Sequence, residues 1–243
     1  MVETLWMKML KGLTLLLSIG LILYGTSFLS FQKANAGTQL TVAEVLEQLQ
    51  AKAKTLKSLQ GNFEQRKFSR LLITPMESEG LLYWQPPGRL RWEVVQPAPL
   101  TLVAQGDRIL LLYPDLKKAS LYRRPFGGGL LERITGATDD PEEFQRQYHI
   151  QVALVTRGGS RRWIQMTMEP KSARRARYFK RLEIKIDPNT WLPEKISILE
   201  SSKDWTVIYL SNLKENTELP AGLFSVRPPE DFQLQEYQGG GRP

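Results

Sequence analysis

The chain has 243 residues, of which 42% are hydrophobic and 24% charged, a composition that suits one core-bearing globular domain and excludes a disordered or fibrous chain. It contains no cysteine, which excludes a disulfide framework, a thiolate nucleophile, a cysteine-ligated metal and a lipid carried on the protein's own N-terminus. The net charge of +8 favours acidic partners or anionic headgroups at long range.

Lys8 and Lys11 precede an uncharged run from Gly12 to Phe31, and Ala34-Asn35-Ala36 has the small-x-small form that signal peptidase cleaves. Residues 1–36 are therefore expected to be a signal peptide, with residues 37–243 as one mature domain in the periplasm. A retained anchor is the alternative, because about 20 uncharged residues can span a bilayer. Gly20, Gly25, Ser27 and Ser30 dilute that run. The leader holds Lys8, Lys11 and Lys33 against Glu3, a net of +2, so the remainder keeps +6. Export also takes a basic chain away from nucleic acid, and no nucleic-acid partner is expected.

Thr41-Val42-Ala43-Glu44 has the form of a capping box and predicts a helix start. Val42, Val45, Leu46, Leu49, Ala53, Leu56 and Leu59 recur at three- and four-residue steps as one apolar stripe, and Gly61 is a natural stop. From Asn62 onward the period is two and turn residues recur, which predicts a long antiparallel meander of about ten or eleven strands. In Arg89 to Val94, Leu90, Trp92 and Val94 share a face. In Trp163 to Met168, Ile164, Met166 and Met168 do, and in Tyr178 to Ile186 so do Tyr178, Leu182, Ile184 and Ile186, with Lys180 interrupting. Gly106-Asp107, Gly158-Gly159 and Asp187-Pro188-Asn189 read as turns.

Ile109 to Tyr113 is apolar on both faces and should be covered on both. Two short helices are predicted between Gly127 and Tyr148: Gly128 to Ile134, and Asp140 onward, where Pro141 follows an Asp cap. These helices are the candidates for a covering layer.

No catalytic constellation is visible. His149 is the only histidine and leads a predicted strand, and no Gly-x-Ser-x-Gly elbow occurs. With no cysteine, metal ligands reduce to scattered carboxylates without loop spacing. No enzyme activity, metal or cofactor is expected. The apolar content of the predicted sheet, including Trp163 and Trp205, reads as packed core or as the wall of a cavity, and flexible Met beside Trp suits a soft apolar guest. Lys171, Arg174, Arg175, Arg177, Lys180 and Arg181 form a basic run that reads as a solvated hairpin loop or a docking patch.

Phe63-x-Gln65, Glu79-Gly80-Leu81-Leu82-Tyr83-Trp84, Pro87-Gly88-Arg89-Leu90-Arg91-Trp92, Pro97, Val103-x-x-Gly106-Asp107 and Leu112-Tyr113 follow in that order, with Phe224-Ser225-Val226-x-Pro228-Pro229 near the end. This set resembles the outer-membrane lipoprotein carrier (LolA) family, whose members show F-x-Q, G-x-L, R-P-x-x-F-x-W, a proline and a D/Q-G turn in sequence. The resemblance spans essentially the whole mature chain. It implies a mainly β fold, an incomplete antiparallel β-barrel closed by a lid made of the N-terminal helix and short helices, around an apolar cavity for lipoprotein acyl chains. It further implies a monomer that takes acylated lipoproteins from an inner-membrane ABC transporter complex and hands them to an outer-membrane acceptor.

Mapped onto this chain, the lipid-binding cavity would be lined by Phe63, Trp84, Leu90, Trp92, Leu111, Met166 and Met168, with Leu130, Leu131 and Ile134 from the lid. The family arginine that latches the lid is Pro86 here, so Arg89 or Arg91 would have to serve, although alternation puts both opposite Leu90 and Trp92. Partner docking would fall to Arg174, Arg175, Arg177, Lys180 and Arg181. The alternatives are a periplasmic lipid-sensing regulatory module, a fold-level possibility, or a carrier of another amphiphile such as a glycolipid.

Overall fold

The computed structural model describes residues 40–123, 141–158, 161–177 and 179–238. The expected leader, the short helix over Gly128 to Ile134, and Tyr178 lie outside the described residues. Helix α1 (Val42–Thr55) begins at the expected capping box: the Thr41 hydroxyl accepts from the Glu44 amide, and the Glu44 carboxylate accepts from the Thr41 amide at 2.7 Å. Hydrogen bonds from the Thr41 amide and hydroxyl hold the Glu44 carboxyl below its ordinary pKa.

The helix ends before Gly61, contrary to the sequence reading. Leu56 is already extended, and Asn216 satisfies the chain there, accepting from the Lys57 amide and donating to the Thr55 carbonyl. Leu56 and Leu59 keep the helical spacing but pack in a separate cluster with Trp84 and Leu192. Gly61 lies inside a strand, at a register shift, where a Cβ would sit 2.9 Å from the Ser211 carbonyl oxygen.

Twelve strands follow among the described residues: β1 (Leu59–Phe68), β2 (Met76–Gln85), β3 (Arg89–Gln96), β4 (Leu100–Gln105), β5 (Arg108–Tyr113), β6 (Lys118–Arg123), β7 (Tyr148–Arg157), β8 (Arg161–Pro170), β9 (Arg181–Ile186), β10 (Pro193–Leu199), β11 (Trp205–Glu215) and β12 (Gln233–Gln238). Helix α2 (Pro141–Gln147) precedes β7, and a single helical turn, α3 (Ala173–Ala176), joins β8 to β9. Strand β9 starts at Arg181 and not at Tyr178, because this turn occupies the connection.

All twelve strands belong to one open sheet in the order β12-β6-β5-β4-β3-β2-β1-β11-β10-β9-β8-β7. The mainly β fold is as expected. The sheet does not close into a barrel, and its one parallel pair, β12 with β6, departs from the expected all-antiparallel meander. Turn predictions hold at Gly106 and Gly158, whose φ angles of 60° and 62° suit glycine, and at Asp187, whose carboxylate accepts from the Asn189 amide.

Directly opposed antiparallel residues share a face, so the register assigns the two surfaces. Phe63, Leu82, Leu90, Val94, Leu102, Leu111, Met166, Met168, Ile184, Ile196 and Leu210 fall on one, together with Val45, Leu46 and Leu49 of α1 and Phe144 of α2, in a single buried cluster with Trp92 of the same face packed against it. A flat sheet of this many strands would be roughly 50 Å wide. Burying residues from β1 to β5 and from β8 to β11 against one helix therefore requires the sheet to curve around it. That curved inner face, with α1 and α2 on it, is the half-barrel arrangement.

The two-faced strand β5 is covered as expected, but not by the expected layer. Ile109 and Leu111 point inward, while Leu110 and Leu112 meet Leu219, Leu223, Phe224, Val226 and Phe232 on the outside. The outer layer is the irregular segment after β11, which crosses the back of the sheet before pairing as β12.

Candidate functional site

The inner face owes its apolar character to strand alternation. On β1 the inward set begins Leu59, Gly61, Phe63; on β3 it is Leu90, Trp92 and Val94; on β8, Ile164, Met166 and Met168. Phe63 is 1% exposed and stacks on Trp92 with ring centroids 3.9 Å apart. It faces Gly80 across the β1–β2 pair and Leu210 across the β1–β11 pair. Gly80 has a packing reason: a Cβ there would lie 1.8 Å from the Glu93 carbonyl oxygen and 3.0 Å from the Phe63 ring. The spacing of aromatic and glycine is thus set by the backbone approach of β3 at the Glu79/Gly80 register shift.

Among the predicted lining residues, the structure gathers Phe63, Leu90, Leu111, Met166 and Met168 in the main cluster, with Trp92 packed against it. Trp84 is set apart. It shares the inner side of β2 but belongs to the end cluster with Leu56, Leu59 and Leu192, and its buried indole N–H has no hydrogen-bond partner among the described residues. Leu130, Leu131 and Ile134 lie outside the described residues.

Helix α1 is anchored asymmetrically over this face. Its C-terminal half is tied to the end of β11 by a Lys52–Glu215 ion pair and by Asn216. Its first two turns and the start of the third pack through Val45, Leu46 and Leu49, and its N-terminus carries its local cap. At the side of α2, Phe144 packs on Tyr148, which stacks on Phe179.

One end of the inner face is polar, and sequence reading missed it. Continuing the alternation of β1 beyond Phe63 brings Gln65 and Lys67 inward. Lys67 is 7% exposed, and its ammonium donates to Glu200 at 2.9 Å; the Thr206 hydroxyl donates to the same carboxylate oxygen at 3.1 Å. Gln65 is paired in register with Ser78, and the buried Gln65 Oε1 and Ser78 Oγ have no partner among the described residues. The signal was the alternation itself, which places a lysine on the buried face.

At the strand edge made by β5, β6 and β12, Tyr122 stacks on Tyr237 at 4.7 Å, and burial, then the neighbouring Tyr122 and Tyr237, push the Tyr113 phenol well above its ordinary pKa.

The remaining predicted residues sit away from the inner face. Arg89 donates to Gln85 Oε1; Arg91 pairs with Glu93 at 2.8 Å and reaches the Leu223 carbonyl of the outer segment. Both arginines lie on the side opposite α1. Arg174 and Arg175 are on α3, capped by Ser172, Arg177 follows it, and Arg181 pairs with Glu169 at 2.8 Å. His149 is exposed on β7, and no group of three His, Asp or Glu side chains placed to hold a metal occurs among the described residues.

Comparison with known proteins adds the following. The sequence matches the family described as "Outer membrane lipoprotein carrier protein LolA" over residues 54–227. It is 25% identical over 192 residues to an outer-membrane lipoprotein carrier protein of Dechloromonas aromatica, covering 78% of this chain and 86% of that protein. It is 30% identical to the protein of the same name from Xylella fastidiosa, covering 76% and 85%. An uncharacterized conserved protein from Thermus thermophilus shares the fold with a TM-score of 0.53, at 12% identity, over 80% of this chain and 98% of that one.

Proposed function

We propose, since the chain belongs to the LolA family of outer membrane lipoprotein carrier proteins, that it is a periplasmic carrier which shelters the acyl chains of lipoproteins between its curved sheet and helix α1. The observation that carries this reading is the inner face itself: apolar from β3 across to β10 and covered by a helix tied down at one end, not by a second sheet. In this reading α1 swings about its Lys52–Glu215 and Asn216 anchor, and acyl chains replace Val45, Leu46 and Leu49 against Phe63, Leu90, Trp92, Leu111, Met166 and Met168. Burial contributes about 0.8 kcal/mol per CH₂, enough to move a lipid through water without a chemical step.

Residues 1–36 act as a cleaved export signal in this proposal. Delivery runs from an inner-membrane ABC transporter complex to an outer-membrane acceptor. The Arg91 contact to Leu223 belongs to the outer segment, so lid closure relies on apolar packing under α1 in place of an arginine latch.

Mass spectrometry of material co-purified with the protein from its own periplasm tests the cargo. Acylated lipoproteins are the expected result; recovery of a glycolipid or pigment alone would reassign the carrier to another amphiphile. For the site, Leu90→Glu is expected to weaken binding of a fluorescent fatty acid at least about tenfold while far-UV circular dichroism stays unchanged, because an opening site admits water around a carboxylate where sealed core does not. An unfolded variant would make the position ordinary core and remove Leu90 from the site.

A further inference from the structure

Three loops meet at the polar end of the sheet, and they differ in kind from the rest of the surface. The turn from β1 to β2 presents Leu71 and Ile73 at 82% and 104% exposure, next to Phe68 at 44%. The Arg70 amide donates to Asp204 in the β10–β11 turn, and Ser201 of that turn donates to the Arg177 carbonyl in the β8–β9 connection. The Lys180 amide in turn donates to the Leu199 carbonyl at 2.7 Å. The loops therefore form one continuous rim.

Its charge is as distinctive as its apolar tips. Residues 66–77, 169–181 and 200–204 hold ten Lys and Arg against four Asp and Glu, an excess of +6. That equals the whole excess of residues 37–243, so the rest of the mature chain is neutral on balance. Arg66 pairs with Glu77, Arg181 with Glu169 and Lys67 with Glu200. Arg70, Arg174, Arg177, Lys180 and Lys203 have no carboxylate within ion-pair distance among the described residues.

We propose that this rim docks the protein on an anionic lipid bilayer, with Leu71 and Ile73 entering the interface and the surrounding cations meeting headgroups. Two pendant aliphatic side chains on a short turn offer no flat patch or groove for a protein surface to complement, whereas a fluid interface accommodates isolated apolar tips. A ring of cations around such tips is the arrangement that anionic lipids attract, over a range set by the Debye length. The proposal goes beyond the carrier reading, naming what the basic run Arg174 to Arg181 engages, and it places the polar end of the inner face against the membrane.

The test is flotation of the mature protein with vesicles of phosphatidylglycerol and phosphatidylcholine, compared with vesicles of phosphatidylcholine alone. Binding should be at least about tenfold tighter to the anionic vesicles and weaken with salt. Leu71→Ser with Ile73→Ser should lower it about tenfold and keep the salt dependence, while Arg174→Gln, Arg175→Gln and Arg177→Gln together should flatten that dependence. An Ile73→Trp variant should shift its emission to the blue on anionic vesicles. Equal binding to both vesicle types, or indifference to the Leu71 and Ile73 changes, would overturn the proposal and leave an acidic protein as the partner of the cations. Fluorescent fatty-acid binding, measured on the same variants, should be intact, so failure of docking and failure of the carrier reading are read separately.

Discussion

Gly80→Ala should destabilise the protein by about 3 kcal/mol or more, although it adds one methyl group. The added Cβ would lie 1.8 Å from the Glu93 carbonyl oxygen and 2.8 Å from its carbon, which are backbone atoms of β3 and cannot rotate aside. Relief requires β2 and β3 to part at the very point where their register shifts, and Phe63 on the opposite strand to leave its stack with Trp92. Urea unfolding measures the loss, and fatty-acid binding should fall with it if the same ring lines the proposed acyl site. A loss below about 1 kcal/mol, the centre of the range for ordinary substitutions, would mean that the strands slide freely here and that the glycine has no packing role.

Glu200→Gln is the second large effect, expected at about 3–5 kcal/mol. The variant retains the shape but strips the charge that Lys67 faces, leaving an ammonium with 8% of its side chain exposed and only dipoles for company. Removing both charges, as Lys67→Met with Glu200→Leu, should return the stability to near the parent value or above it, since two desolvated ions are replaced by apolar contact. Denaturant midpoints of the two variants decide the matter: a double variant as damaged as the single one would show that the pair is structurally required and not merely tolerated. Fatty-acid binding by the double variant separates stability from function, because the polar end then keeps Gln65, Ser78 and Thr206 but carries no buried charge.

These two positions also show how far the chain could be read without coordinates. Gly80 belongs to the recognisable ordered motif, but its reason, a carbonyl on the next strand, is a fact about register. Nothing local marks Lys67 as half of an ion pair, because its partner is 133 residues away. Local periodicity was reliable where one face does all the burying, as in Ile164, Met166 and Met168. It overran at Leu56 and Leu59, which continue the helical spacing while the backbone has already turned to strand.

Strand β5 announced a second covering layer through Leu110 and Leu112. Its identity was hidden because Leu219, Leu223, Phe224, Val226 and Phe232 follow neither period and are interspersed with Pro220, Pro228 and Pro229. Strand β12 escaped for a related reason. Gln233-Leu234-Gln235-Glu236-Tyr237-Gln238 is an edge strand whose pairing is mainly backbone and whose side chains are mostly polar, so no hydrophobic pattern marks it. The site was therefore legible where apolar residues alternate and illegible where long-range polar or backbone partners decide.

The position of β1 has a bearing on how the chain reaches this state. It pairs on one side with its neighbour β2 and on the other with β11, so that Phe63 meets Leu210 only after nearly the whole domain has been made. Strands β2 to β6 and β7 to β10 can each zip up as local hairpins, but the seam that joins the two meanders is the least local pairing in the molecule. Such topology makes folding slow, because loop entropy is surrendered before the contacts that reward it. Until β11 is made, one long edge of β1 stays unpaired, and such an edge is a template for pairing with other chains. The order in which the strands are made thus sets how long that edge stays open, and refolding should be slower than for a sheet built from local hairpins alone.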